Sequence, residues 1–93
     1  MISIEDCVAL CGLSAEEVAA IAEHEHVPEM AATALASYLL HRHHGPEKIG
    51  RMIVDDIRAA LVNHNAKHAS ELVATLRHYL DVHPEARRGL NMP

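Results

Sequence analysis

Residues 13–18 read LSAEEV, and this short stretch contains two signals for the start of a helix. Ser14 and Glu17 have the spacing of a capping box, in which each side chain accepts a hydrogen bond from the backbone N–H of the other residue. Leu13 and Val18 flank the box as a hydrophobic staple, which fixes the direction in which the chain enters the helix. Both signals predict a helix that begins directly after Ser14.

The residues before this stretch predict another, shorter helix. Ser3 followed by Asp6 is typical of an N-cap, and the segment ends at Cys11 because Gly12 suits the left-handed conformation that closes many helices. Since Cys7 and Cys11 are four residues apart on this helix, their Cβ atoms are poorly aligned for a disulfide. We therefore expect reduced thiols.

Downstream, Pro28 ends the second helix near His26 and suits the first turn of a third helix. Apolar residues then recur with helical spacing, at Ala31, Ala34, Leu35, Tyr38 and Leu39. This stripe predicts a third helix that runs to His44 and is closed by Gly45 and Pro46.

Two more apolar stripes predict a fourth and a fifth helix. The fourth carries Ile49, Met52, Ile53, Ile57, Ala60 and Leu61, and the fifth carries Ala69, Leu72, Val73, Leu76, Tyr79, Leu80 and His83. The stripes are out of phase by roughly 70°, so we predict a break at residues 63–65, with Asn65 as the next N-cap and Pro84 as the end of the last helix. No segment alternates with period two. We predict one all-α domain over residues 1–93, a small bundle of about five helices, two short and three long.

The apolar composition predicts a thin core. Apolar types make up 49% of the 93 residues, but 15 of these residues are Ala, and the chain contains no Phe or Trp. A lone core in so short a chain supplies only about 3–5 kcal/mol. We therefore expect a homodimer that buries the apolar faces of the long helices.

The charges are unevenly distributed around a net charge of −5. Residues 1–30 carry seven acids and no Lys or Arg, whereas residues 31–93 carry six acids and eight bases. We expect the acidic segment to lie across basic helices of its own chain or of a partner. Nine His residues predict that the electrostatic behaviour changes steeply below about pH 6.5.

Several function classes are disfavoured. The longest uncharged stretch, Met30 to Leu40, is shorter than the roughly 18 residues that cross a bilayer, and it is internal, unlike a secretory signal. We expect a cytoplasmic protein with no membrane partner.

Helices two and three could be taken for a helix-turn-helix, but the start of the third lacks Arg, Lys, Asn and Gln for base edges, so we expect no nucleic-acid partner.

Catalytic motifs are missing from the sequence. There is no Gly-x-Gly-x-x-Gly, no phosphate-binding Gly-Lys-Ser/Thr, no His-Glu-x-x-His and no Cys-x-x-Cys-His. The three residues Ser14, Ser37 and Ser70 lie in no nucleophile-elbow context. An enzymatic activity is therefore not expected.

Asp56 is the most unusual residue of helix four because it falls inside the apolar stripe without a basic residue three or four positions away. We expect it at the edge of the stripe, facing water; the alternative is a buried carboxylate that bonds a His or a Tyr hydroxyl, with a metal or proton-transfer role. Its neighbour Asp55 has the spacing of a surface ion pair with Arg51 and Arg58.

Residues 23–26 read EHEH, and Glu23 and His26 have the Glu-x-x-His spacing that presents an oxygen and a nitrogen to one ion. The spacing resembles one ligand element of ferritin-like di-iron proteins. A homodimer would supply the second element, with Asp56 or Glu29 as a bridging carboxylate, and iron or zinc as the metal. The competing interpretation is a solvated acidic helix end. His24 points about 200° away from His26 on a regular helix.

The remaining His residues have simpler explanations. His41, His43 and His44 would offset the helix dipole in the last turn of helix three. His64 and His68 have the spacing of a helical chelate, but the break at residues 63–65 separates them. We expect His78 to face outward and His83 to end its helix.

Our leading hypothesis is a small helical interaction or regulatory module that needs no cofactor, forms a homodimer and binds a protein partner. The alternative is a metal-binding protein that holds iron or zinc with Glu23, His26 and Asp56 at a dimer interface.

Overall fold

The computed structural model describes residues 3–90, which form five α-helices and a C-terminal 3-10 helix. The α-helices are α1 (Ile4–Cys11), α2 (Ala15–Glu25), α3 (Glu29–Leu40), α4 (Gly45–Val62) and α5 (Ala66–Val82), and the 3-10 helix spans Pro84–Leu90. This part of the chain contains no strand, so the predicted all-α fold is confirmed. The 3-10 helix was not predicted.

The predicted helix boundaries are confirmed where a capping side chain marks them. Ser3 and Ser14 each form the complete capping box with the acidic residue three positions later. Gly12 closes α1 with φ 91°, and the Asn65 side chain accepts a hydrogen bond from the backbone N–H of His68 at the start of α5. These short-range contacts explain why local sequence was sufficient at these positions.

The predicted end of the third helix is wrong. α3 ends at Leu40, and Gly45 and Pro46 open α4 instead of closing α3. Pro is well tolerated in the first turn of a helix, where its missing N–H has no partner to lose. A side chain on Gly45 would collide with the Leu39 carbonyl, so only glycine lets the chain fold back so tightly here.

α4 lies at the centre of the bundle, where it packs against α2, α3, α5 and the 3-10 helix, while α1 packs on α3. The largest fully buried apolar side chains are Val18, Ile21, Ile49, Ile53 and Tyr79. Most residues of the apolar stripes of α4 and α5 are thus buried within one chain. Within residues 3–90, the large apolar side chains that stay exposed and that a dimer could bury are Leu10, Met30, Tyr38, Leu61, Val62 and Val82.

Tyr79 is the only aromatic residue in the core of the described chain. Its hydroxyl donates a hydrogen bond to the Pro46 carbonyl, which connects α5 to the start of α4. Its ring stacks on His83, with 4.8 Å between the ring centroids. Burial raises the pKa of the Tyr79 hydroxyl well above its usual value, so it stays a neutral donor.

Within residues 3–90, no helix combines the length and the apolar composition needed to cross a membrane.

Candidate functional site

Two His–carboxylate pairs connect α2 to α5. Glu17 contacts His78, with 2.8 Å between Oε2 and Nδ1, and Glu23 contacts His68, with 2.7 Å between Oε1 and Nε2. As the residue number rises along α2, the partner number falls along α5, so the two helices run antiparallel. Neither pair was predicted from the sequence.

Glu17 is the buried member of the first pair, with 2% of its side chain exposed. One carboxylate oxygen accepts the backbone N–H of Ser14 at 2.9 Å, as the capping box requires, and the other faces His78. The hydrogen bond from His78 to Glu17 raises the pKa of this imidazole above its usual value. The prediction that His78 faces outward is correct for most of its surface, since 60% of the side chain is exposed, but its Nδ1 is held by Glu17.

The second pair is more accessible, because 43% of the Glu23 side chain is exposed. His68 uses both ring nitrogens: Nε2 contacts Glu23 at 2.7 Å, and Nδ1 lies 3.5 Å from Oε1 of Glu71. A neutral imidazole carries only one N–H, so only protonated His68 can donate to both carboxylates. The hydrogen bond to Glu23 is the main reason why the pKa of His68 is raised.

A groove of about 590 Å³ runs between α2 and α5 beside these two pairs. The most buried lining residues, Ala20 and Leu72, form its floor, whereas Glu16, Glu23 and Glu71 are exposed at its rim. The lining residues are Ser14, Glu16, Ala19, Ala20, Glu23, His68, Glu71, Leu72, Ala74, Thr75 and His78. Among the described residues, no Lys or Arg lines this groove. The α2/α5 groove therefore combines an apolar floor with an acidic rim.

Asp56 lies on α4, beside the Glu23 end of this arrangement, and the prediction that it faces water is wrong. Only 5% of the residue is exposed, and Oδ2 has no hydrogen-bond partner within the described chain. Burial, together with the nearby carboxylate of Glu23, raises the pKa of Asp56 to about 6. The side chain is buried because α4 is central in the bundle and its neighbours cover the apolar stripe in which Asp56 stands.

Asp55 does not form the predicted ion pair with Arg51 or Arg58. Its Oδ2 lies 3.3 Å from Nε2 of His24, whose Nδ1 lies 2.7 Å from Glu25. Burial opposes the charged form of His24, but the two carboxylates outweigh this and raise its pKa. Across residues 3–90, the one ion pair of a Lys or Arg within 4.0 Å joins Arg87 to Asp81.

The acidic segment therefore lies across the later helices of its own chain, as the charge distribution predicted, but its partners are His residues. Glu17 and Glu23 face His78 and His68. Since imidazoles lose their charge near neutral pH, these contacts respond to pH in a way that Lys and Arg contacts do not.

Of the three residues predicted to bind a metal, two lie near each other and the third does not join them. Glu23 and Asp56 interact electrostatically, whereas His26 is exposed and ends α2 in the left-handed conformation, with φ 57°. In the described part of the chain, no group of three or more His, Cys, Asp or Glu side chains is arranged to hold a metal ion. The metal site with iron or zinc stays a prediction.

The other His residues lie outside this region. His41 donates from Nδ1 to the Ser37 carbonyl at 2.7 Å, as expected near a helix C-terminus. The prediction is wrong for His43 and His44, because they lie in the turn after α3, where His44 contacts Glu47 of α4. His64 stands in the predicted break, and the two cysteines are free.

Comparison of the sequence with protein-family models and with curated proteins, and of the structure with solved structures, finds no match. The carboxylates of the α2/α5 groove can bind positive charge beside an apolar surface. Because two of its carboxylate contacts are made by His68 and His78, such binding can depend on pH.

Proposed function

We propose that the protein is a helical interaction module whose α2/α5 groove binds an amphipathic helix of a partner protein. The bound helix presents small apolar side chains to the floor of the groove and Lys or Arg side chains to its rim. The observation that carries the proposal is the combination of an apolar floor with an acidic rim along two antiparallel helices.

The shape of the groove favours a helix as the occupant. On α2, the residues Glu16, Ala19, Ala20 and Glu23 follow the spacing of one helix face, and on α5 the lining residues extend over three turns from His68 to His78. Ala side chains on the floor permit a short distance between helix axes. Binding of an amphipathic helix in a groove between two helices is a common mode of peptide recognition.

The charge of the rim favours a basic partner. Glu16, Glu23 and Glu71 contribute three carboxylates to the lining. Complementary charges raise the rate of association and exclude partners of the wrong sign. These carboxylates would repel a phosphate-rich ligand.

A designed peptide tests the proposal. The probe is a fluorescent helical peptide of about 18 residues with Ala and Leu on one face and Lys on both flanks, compared with the same peptide carrying Glu in place of Lys. Fluorescence anisotropy should detect binding of the Lys peptide alone. Ala74→Arg, which fills the groove, should weaken binding at least about tenfold, whereas Ala59→Arg on an exposed face of α4 outside the groove should not.

Equal binding of both peptides, or no effect of Ala74→Arg, would overturn the proposal. If Ala74→Arg instead dissociates a homodimer, the occupant is a second copy of the chain and the proposed partner helix is wrong.

We also propose that the protein forms a homodimer. The support is the thin aliphatic core and the two adjacent apolar side chains Leu61 and Val62, which are exposed at the end of α4. Across a two-fold axis, such a patch would meet its own copy.

Metal binding is the alternative function. It is supported by Asp56, a buried carboxylate whose Oδ2 has no hydrogen-bond partner among the described residues, beside Glu23. A bound cation would satisfy such an oxygen. Within residues 3–90, however, His26 forms no hydrogen bond or ion pair with Glu23 or Asp56.

A further inference from the structure

We propose that Glu23 is the residue that receives a Lys or Arg side chain of the docked helix, and that this contact favours the release of a proton from His68. The inference rests on the proposed function, because it concerns binding in the same groove. It assigns a recognition role to one of the three rim carboxylates and couples docking to proton release.

The two His–carboxylate pairs of the groove differ in one decisive respect. Their contact distances are nearly equal, at 2.7 Å for Glu23 and 2.8 Å for Glu17. However, 43% of the Glu23 side chain is exposed, compared with 2% for Glu17. A partner cation can therefore reach Glu23 but not Glu17, whose second oxygen is already bound to the Ser14 backbone.

His68 occupies the position that the partner cation would take. Its protonated ring donates to Glu23 through Nε2 and faces Glu71 through Nδ1. A cation that binds Glu23 removes the main contact that favours the protonated ring. His68 then loses its proton more readily, because a group that loses its carboxylate partner returns toward its ordinary pKa.

The carboxylates around His68 come from every helix packed nearby. Glu23 belongs to α2 and Glu71 to α5, while Asp56 on α4 interacts with both His68 and Glu23. Asp56 is already ionised above about pH 7, so a change in binding above that pH is assigned to His68 and not to Asp56. His78 serves as an internal reference, since only its Nδ1 contacts a carboxylate and that carboxylate is buried.

Isothermal titration calorimetry tests the coupling. The Lys peptide described above is titrated near pH 7 in two buffers that differ in ionisation enthalpy, and the difference in heat gives the number of protons released. We expect the release of up to about one proton per bound peptide, and an affinity that rises roughly two- to fivefold between about pH 7 and pH 8.5, where Asp56 is ionised throughout.

Three variants test whether the proton released on peptide binding comes from His68. His68→Gln keeps a neutral donor at the position of Nε2, so it should abolish proton release and bring the affinity at low pH up to the value at high pH. His78→Gln should leave proton release unchanged. Glu23→Gln should weaken binding of the Lys peptide and remove its dependence on pH.

Binding of the Lys peptide without proton release, or with the same release in His68→Gln, would overturn this inference while leaving the proposed function intact. No binding of the Lys peptide at either pH would overturn both. These outcomes separate the recognition of the helix from its coupling to His68.

Discussion

The carboxylate of Glu17 is buried, yet it contacts the largely exposed imidazole of His78 at 2.8 Å, across 61 positions of sequence. The same carboxylate completes the capping box of α2 through the Ser14 backbone. One side chain thus stabilises both the start of a helix and the packing of that helix against α5.

Replacing Glu17 should therefore destabilise the fold more than the loss of an ordinary capping residue. We expect Glu17→Ala to lower the free energy of unfolding by about 1–3 kcal/mol, because the Ser14 N–H and His78 both lose their partner. Urea denaturation measures the change. Glu16→Ala, at the neighbouring exposed position, should change it by less than about 0.5 kcal/mol, and equal effects of the two variants would contradict the prediction.

Asp56 should make the folded state less stable at high pH. Its pKa is raised from 3.8 to about 6, so the folded protein binds this proton more tightly than the unfolded chain and loses stability as pH rises between these values. We expect Asp56→Asn to raise the free energy of unfolding by up to about 3 kcal/mol at about pH 8 and to have little effect near pH 4. Denaturation of the variant at both pH values checks this. A destabilised variant at pH 8 would reject the prediction, with exposed Asp55→Asn as the control.

The His–carboxylate contacts should also favour the folded state at low pH. The pKa values of His24, His68 and His78 lie above the ordinary 6.5, so their stabilisation is fully present below 6.5 and is lost as pH rises through the folded values. We expect the melting temperature of the wild type to fall between about pH 6 and pH 8. The fall should be smaller when all three residues are replaced by Gln. A fall of the same size in this variant would show that other groups are responsible.

The two glycines of α4 should respond in opposite directions to Ala. At Gly45, a Cβ would collide with the Leu39 carbonyl, so we expect Gly45→Ala to lower the free energy of unfolding by about 2–3 kcal/mol. At Gly50, a Cβ would make ordinary contacts with Leu90 and Tyr79 at 3.6 and 3.7 Å. Gly50→Ala should therefore stabilise the protein by about 0.5–1 kcal/mol, since glycine is unfavourable inside a helix. Chemical denaturation measures the free energy of unfolding of both variants. A Gly45→Ala variant as stable as the wild type would contradict the close approach of Gly45 to the Leu39 carbonyl.

Sedimentation equilibrium tests the homodimer. We expect a species of twice the 10.2 kDa chain mass at micromolar concentration, and Leu61→Glu with Val62→Glu should weaken association at least about tenfold. A wild-type protein that sediments only as a 10.2 kDa species would rule out the dimer.

Elemental analysis decides between the interaction module and the alternative metal protein. We expect protein purified without a His tag to contain no stoichiometric metal, and any weak zinc or nickel binding to disappear in the double variant His41→Ala with His44→Ala. About one iron or zinc ion per chain or per dimer, lost on replacing Glu23 and His26 by Ala, would instead support the alternative.

The sequence was most informative where a contact joins residues three or four positions apart. The capping box of Ser14 and Glu17 marks the start of α2, and Asn65 marks the start of α5. The sequence was misleading at Gly45 and Pro46, because the same two residues can end one helix or begin the next, and only the tight turn after Leu40 decides between them.

The candidate site was largely beyond prediction because its contacts join distant residues. The pairs of Glu17 with His78 and Glu23 with His68 span 61 and 45 positions, and helical periodicity does not specify which helix faces which. The burial of Asp56 did leave a signal, its place in the apolar stripe of α4. That signal was outweighed by the usual preference of a carboxylate for water.

The position of Tyr79 gives the protein a built-in optical probe. The chain contains no Trp and only two Tyr residues, and Tyr38 is exposed, whereas Tyr79 is fully buried with its hydroxyl bound to the Pro46 carbonyl. When the chain unfolds, the change in near-ultraviolet absorption therefore comes chiefly from Tyr79. Its signal reports the separation of α5 from the start of α4 without any introduced label.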